Sequence, residues 1–124
     1  MLTVQFRMHP LIAQFPNIEF YHGRIQNAPN MAEKTFIELQ NIPTPIVFID
    51  VKDGVEKKVL GTTYRNHKEA NVVAKIINNF MKNKINAKDV GVITPYHGQV
   101  HLLRSMINRM GYNGLRISSV DTFQ

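Results

Sequence analysis

The order of signals along this 124-residue chain predicts an α/β domain, with a parallel sheet covered by helices. Three observations carry that prediction. Short apolar runs rich in β-branched residues sit at residues 45–51, 90–93 and 115–120. Between them lie two segments whose apolar residues repeat at helical spacing, and turn residues punctuate the junctions. Strand, helix, strand, helix, strand in that order requires right-handed parallel crossovers.

The elements follow in chain order. Leu11, Ile12 and Phe15, then Ile18, Phe20 and Tyr21, predict a helix interrupted by Pro16 and resumed as a short second turn. Residues 27–40 read as loop or surface helix. The run Pro45-Ile46-Val47-Phe48-Ile49-Asp50-Val51 predicts a strand covered on both faces, closed by the turn Asp53-Gly54. Asn66 with Glu69 three residues on marks a helix N-cap with a capping-box acid. Ala70, Val73, Ile76, Ile77 and Phe80 then form the buried face of a helix ending near Lys84. Val90 to Ile93 forms the next strand. Val100, Leu103, Met106, Ile107 and Met110 line a second helix stopped by Gly111, and Asn113-Gly114 turns into the last strand.

Composition narrows the function classes. With 44% apolar and 19% charged residues the chain is suited to one folded domain rather than a disordered tail. Zero cysteines exclude disulfides and thiolate metal sites. No apolar run reaches the ~20 residues of a membrane span, so no membrane partner is expected. The first seven residues lack signal-peptide grammar, which leads to an expectation of a cytoplasmic protein, with the nucleus as the alternative. Fifteen Lys plus Arg against nine Asp plus Glu give a net charge of +6, and polyanions are the natural partners. Because the chain stops at Gln124, directly after its last strand, it is expected to be a piece of something longer.

Chemistry in such a sheet gathers beyond the carboxyl ends of the strands. After Ile93 come Thr94-Pro95-Tyr96-His97-Gly98-Gln99 and a helix. This offers a hydroxyl, a fixed turn, a glycine and free helix N–H groups, an arrangement suited equally to an anion site and to plain helix capping. After Val120 come Asp121-Thr122-Phe123-Gln124, polar residues at the same sheet edge. Before the first helix, Gln5-Phe6-Arg7-Met8-His9-Pro10 supplies a planar guanidinium fork beside an aromatic. No His lies at metal-ligand spacing from a suitable partner, and His22, His67, His97 and His101 read as surface or capping residues.

These segments resemble a known family. Val4-Gln5-Phe6-Arg7-Met8-His9-Pro10, with Phe15-Pro16-Asn17 and Phe20-Tyr21-His22-Gly23, is similar to the motif opening the second RecA-like domain of superfamily 1 helicases. Gly91-Val92-Ile93-Thr94-Pro95-Tyr96-His97-Gly98-Gln99 resembles their next motif, and Ser119-Val120-Asp121-Thr122-Phe123-Gln124 the start of a third, all in family order. Phe20-Tyr21-x-Gly23-x-x-Gln26-Asn27 and Gly61-Thr62-x-Tyr64-x-Asn66-x-x-Glu69-Ala70-Asn71 look most like the branch acting on RNA in nonsense-mediated mRNA decay.

The resemblance implies a RecA-like, P-loop NTPase-type parallel sheet with helices on both faces. Residues 1–124 would be a partial second RecA-like domain, truncated at its C-terminal end. Arg7 would reach the γ-phosphate of ATP as an arginine finger, a contact worth roughly 10³–10⁵ in rate. Gln5 and Phe6 would belong to the same nucleotide site; Phe6 stands where the family usually has Tyr, keeping the π-face and losing a hydroxyl. Thr94, Pro95, Tyr96 and Gln99 would grip single-stranded RNA, or DNA in related enzymes, and Asp121 and Gln124 would couple that grip to the nucleotide. The chain carries no Gly-x-x-x-x-Gly-Lys-Ser/Thr loop and no Asp-Glu pair. ATP and Mg²⁺ would therefore be held mainly by the first RecA-like domain of the parent protein, and the piece alone would be inactive. Three readings remain beside it: a standalone nucleic-acid-binding module, an interaction or regulatory α/β domain, and a relative working on DNA or in transcription termination.

Overall fold

The computed structural model describes residues 3–35, 42 and 44–123. The chain divides into two compact units, residues 1–49 and 50–124, each with its own architecture.

In the first unit, β1 (Val4–Gln5) pairs in parallel with β2 (Gln26–Asn27), Val4 opposite Gln26 and Gln5 opposite Asn27. Helix α1 (Pro10–Tyr21) makes the crossover between them. Its start follows from chemistry at His9, whose Nδ1 accepts the Leu11 N–H at 3.1 Å, while Pro10 fills the first helical position where no N–H is needed. The expected break at Pro16 is absent, because α1 runs through it as one helix. Pro16 removes one N–H from the ladder, a local loss that the residues around it outlast. The end is set by His22 in the left-handed region (φ 53°), its N–H bonded to the Asn17 carbonyl. Asn17 also clamps the return loop, donating to the Ile25 carbonyl at 2.8 Å and accepting the Ile25 N–H at 2.9 Å. A short helix α2 (Met31–Thr35) follows. It realises the surface-helix alternative for part of residues 27–40, of which residues 36–40 lie outside the described residues.

In the second unit, β3 (Glu56–Lys58) and β4 (Tyr64–Asn66) form an antiparallel hairpin with Lys57 opposite Arg65. Helix α3 (His67–Lys82) starts directly from it, β5 (Gly91–Ile93) follows, and α4 (His97–Arg109) crosses over to β6 (Arg116–Ser118). Strands β5 and β6 are parallel, Val92 opposite Ile117. The core consists of Ala70, Ala74 and Ile77 from α3, Val100, Leu103 and Ile107 from α4, and Ile117 from β6. Six of these seven fall where apolar periodicity or the last strand was expected to be inward, all but Ala74, and Val73, Met106 and Val92 pack against them.

The α/β class with parallel crossovers is therefore found, as a RecA-like domain requires, but the described strands form three two-stranded sheets rather than one. The expectation of a strand at residues 45–51 is corrected. Residues 45–51 contain no strand, and Phe48 is 90% exposed. A β-branched run becomes a strand only when another backbone accepts and donates its hydrogen bonds, and no described residue does so here. Conversely, the β3–β4 hairpin was not expected, because Glu56, Lys57 and Lys58 are all exposed and lack the alternation that marks a half-buried strand.

Candidate functional site

In the first unit, the candidate nucleotide site is built on Gln5. Its side-chain Oε1 accepts the Arg7 and Met8 N–H groups at 2.9 and 2.7 Å, and its Nε2 donates to the Met8 carbonyl and Asn27 Oδ1, both at 2.7 Å. One carboxamide thus fixes the loop between β1 and α1 in a single shape and ties it to β2. Gln5 itself offers little to a ligand. Its effect is to hold out its neighbours: Phe6 is 75% exposed, and the exposed Arg7 guanidinium makes no hydrogen bond or ion pair among the described residues. An aromatic face and a planar cation on a fixed loop are suited to a purine ring and a phosphate.

In the second unit, the candidate nucleic-acid site begins where β5 ends. The Thr94 N–H donates to the Ser118 carbonyl at 3.2 Å, so Thr94 still belongs to the ladder, and the chain leaves the sheet at Pro95. Tyr96 takes an extended conformation before α4, and its carbonyl accepts the Gln99 and Val100 N–H groups. Thr94, Pro95 and Tyr96 line a cleft of about 360 Å³, whose other walls include Tyr64, Arg65 and Asn66 from the hairpin. The Tyr64 and Tyr96 rings meet edge to face at 5.3 Å. Glu56 and Glu69 also border the cleft.

Packing of the hairpin against the start of α4 shapes this cleft. A Cβ on Gly98 would lie 2.7 Å from Val59 Cγ2 and 2.8 Å from the Tyr64 carbonyl oxygen, so only glycine admits the approach. The Gly98 N–H donates to Thr63 Oγ1 at 2.8 Å. Three of the helix N–H groups expected to be free here are therefore engaged: Gly98 by the hairpin, Gln99 and Val100 by Tyr96.

Gln99 sits on the first turn of α4, as expected, and lines the same cleft. It is buried, its Oε1 accepting the Asn66 N–H at 2.8 Å and its Nε2 donating to the Asn66 carbonyl at 3.0 Å. Both ends of the side chain are engaged by the hairpin, so Gln99 holds the cleft wall in place. The same bond explains why the capping box is incomplete. Asn66 Oδ1 accepts the Lys68 and Glu69 N–H groups as expected, while the Asn66 N–H that Glu69 would have reached goes to Gln99.

Asp121 sits exposed in a single 3₁₀ turn, Val120–Thr122, beyond β6. The turn is tied down by the Ser119 and Thr122 hydroxyls, 3.0 Å apart. Phe123 folds back beneath the Arg116 guanidinium, 4.8 Å from the ring centre, and over Gly91, where a Cβ would come within 2.5 Å of the ring. Gln124 lies outside the described residues. Tyr64 and Arg65 were not singled out as site residues from sequence; the signal available was their place inside the quoted stretch around Gly61 and Asn66. Among the described residues no three His, Asp or Glu side chains come together as a metal cage, and no helix is long and apolar enough to cross a membrane.

Comparison with known proteins places this sequence in a family. A family described as an AAA domain matches residues 1–124. A regulator of nonsense transcripts 1 homolog from Neurospora crassa is 37% identical over 99% of this chain, a match covering 12% of that protein. An "ATP-dependent helicase upf1" from Schizosaccharomyces pombe is 29% identical over 99% of the chain and 14% of its own length. A "DNA polymerase alpha-associated DNA helicase A" from the same organism is 30% identical over 99% of the chain and 21% of its own. The chain thus spans a small part of the length of these relatives. The likeness to nonsense-decay helicases drawn from its motifs extends over nearly all of its sequence, and the chain belongs to the AAA domain family.

Proposed function

We propose that the chain is most of the second RecA-like domain of an ATP-dependent RNA helicase acting in nonsense-mediated mRNA decay, working in the cytoplasm. Arg7 would contact the γ-phosphate of ATP, with Phe6 against the base and Gln5 fixing the loop that carries both. Thr94, Pro95 and Tyr96 would grip single-stranded RNA, with Gln99 holding the hairpin wall beside them. Asp121 and Gln124 would link grip and nucleotide. The first RecA-like domain of the same parent chain would be the partner that holds most of the ATP. Mg²⁺, bound there, would neutralise phosphate charge. Closing of the two domains on ATP and reopening after hydrolysis would alternate the backbone contacts and move the protein along its strand.

The observation that supports this reading most is the Arg7 loop. Gln5 spends its whole carboxamide on holding it, and the guanidinium is left exposed without a partner among the described residues. Such an arrangement has little value for the fold and suits a phosphate supplied from outside. In the full-length protein, Arg7→Ala should lower ATP turnover by about 10³-fold or more while RNA affinity stays within twofold of wild type. Unchanged turnover would overturn the reading. The likeness to a DNA helicase favours DNA as the second substrate to try. Equal affinity for uridine and deoxythymidine oligomers would support a base- and sugar-blind grip.

A further inference from the structure

Arg65 plays no part in the assignments above, yet it is the most unusual side chain in the second unit. It lies on β4 in the wall of the Thr94–Tyr96 cleft, and it also borders a neighbouring groove of about 350 Å³ with Thr63, His101 and Ser105. Its Nε is shut off from solvent and has no hydrogen-bond partner. Its guanidinium forms no ion pair with Glu56 or Glu69, although both border the same cleft; among the described residues the one ion pair is Lys68 with Asp53, 3.8 Å apart. Directly across the hairpin stands Lys57, exposed.

Each of these features opposes the fold when taken by itself. A buried donor without an acceptor loses its water and gains nothing in return. Two like charges directly opposite on an antiparallel pair repel. An anion lying at the hairpin would accept from the terminal nitrogens of the guanidinium and screen it from Lys57, offsetting both costs without reaching the enclosed Nε. The Tyr64 and Tyr96 rings, which line the same cleft, offer surfaces for bases, so that a strand could be held by stacking and phosphate contacts.

We propose that Arg65, assisted by Lys57, is a further phosphate ligand of the single-stranded nucleic acid that runs past Thr94 and Tyr96, so that the hairpin is the second jaw of the grip. This rests on the reading of that cleft as the nucleic-acid site, and it adds a residue outside the helicase motifs. Affinity for a short strand is then set partly by the hairpin's charge.

The test is binding of a fluorescent uridine oligomer to the full-length protein across a series of salt concentrations. Arg65→Gln should weaken binding about fivefold to tenfold near 0.1 M salt and flatten the slope of log affinity against log salt by ~0.7, one contact's worth on a single strand. Lys57→Gln should act in the same direction more weakly. Arg65→Met should lose the same affinity without lowering the melting temperature, since it removes an unpartnered donor and a repulsion; a fall in affinity that only accompanies a fall in melting temperature would refute a ligand role. ATP affinity should not move, and its loss in place of RNA affinity would assign Arg65 to the nucleotide. If Arg65→Gln leaves affinity and slope unchanged while Tyr96→Ala weakens binding, the hairpin jaw is wrong and the cleft stands. If Tyr96→Ala has no effect either, the cleft assignment fails and the jaw fails with it.

Discussion

Helices α1 and α3 are of similar build, each capped by a side chain and each rich in apolar residues, and they differ in what those residues meet. In α3, Ala70, Ala74 and Ile77 are buried against α4 and β6, and its charged residues face away. In α1 only Ala13 is buried, while Leu11, Ile12, Phe15, Ile18 and Phe20 are all exposed. The apolar content of α3 works for its own unit, because hydrophobic stabilisation accrues only for surface removed from water. That of α1 does not. Exposed apolar surface on this scale is the signature of a face meant to be covered by other protein.

The largest effect expected from this difference is at Leu103, which is fully enclosed between α4, α3 and β6. Leu103→Ala should cost about 2–5 kcal/mol in urea unfolding of the chain, through lost transfer energy and the cavity left behind. A cost below about 1 kcal/mol would mean that the α3–α4 core is loose and that the two helices do not differ in kind.

A smaller effect is expected at Gln99, where the α4 side of the core meets the hairpin. Gln99→Ala strands the buried N–H and carbonyl of Asn66 and should cost about 1–3 kcal/mol. Its RNA affinity, measured where the protein is still folded, should fall less than that of Tyr96→Ala. The opposite ranking would return Gln99 to direct contact with the strand and break its assignment as a docking residue.

What the amino-acid order made legible divides along the same line. Ala70, Ile77, Val100, Leu103 and Ile107 were readable because helix periodicity reports burial when both partners of the packing lie in one chain segment. Asn66 was readable as a cap because capping is local. Residues 45–51 have a strand's composition without forming one, because strand formation depends on a pairing partner distant in sequence, which the residues themselves do not encode. The hairpin escaped notice for the converse reason: Lys57 and Arg65 face each other through backbone pairing that leaves no apolar trace. Among the site residues, the places of Thr94 and Tyr96 in the chain pointed to the strand end, whereas the engagement of Gln99 with Asn66 spans 33 residues and shows only in three dimensions.

The smallest effect is expected at Phe15, and it bears most directly on the contrast between the helices. Phe15 is 69% exposed and meets Phe20 edge to face at 6.4 Å. Such a ring pair gives little when water reaches most of both rings, so Phe15→Ser should change stability by no more than about 0.5 kcal/mol, the range of ordinary surface substitutions. The same change should raise solubility and suppress self-association in sedimentation, because it removes part of an apolar face that its own unit leaves uncovered. In the full-length protein the outcome should reverse. There, if further protein covers α1, Phe15→Ser exposes a ring-sized gap in a packed interface and should lower the melting temperature. Equal insensitivity in the chain and in the full-length protein would show that α1 keeps its apolar face in water, and the lesson drawn from comparing it with α3 would not hold.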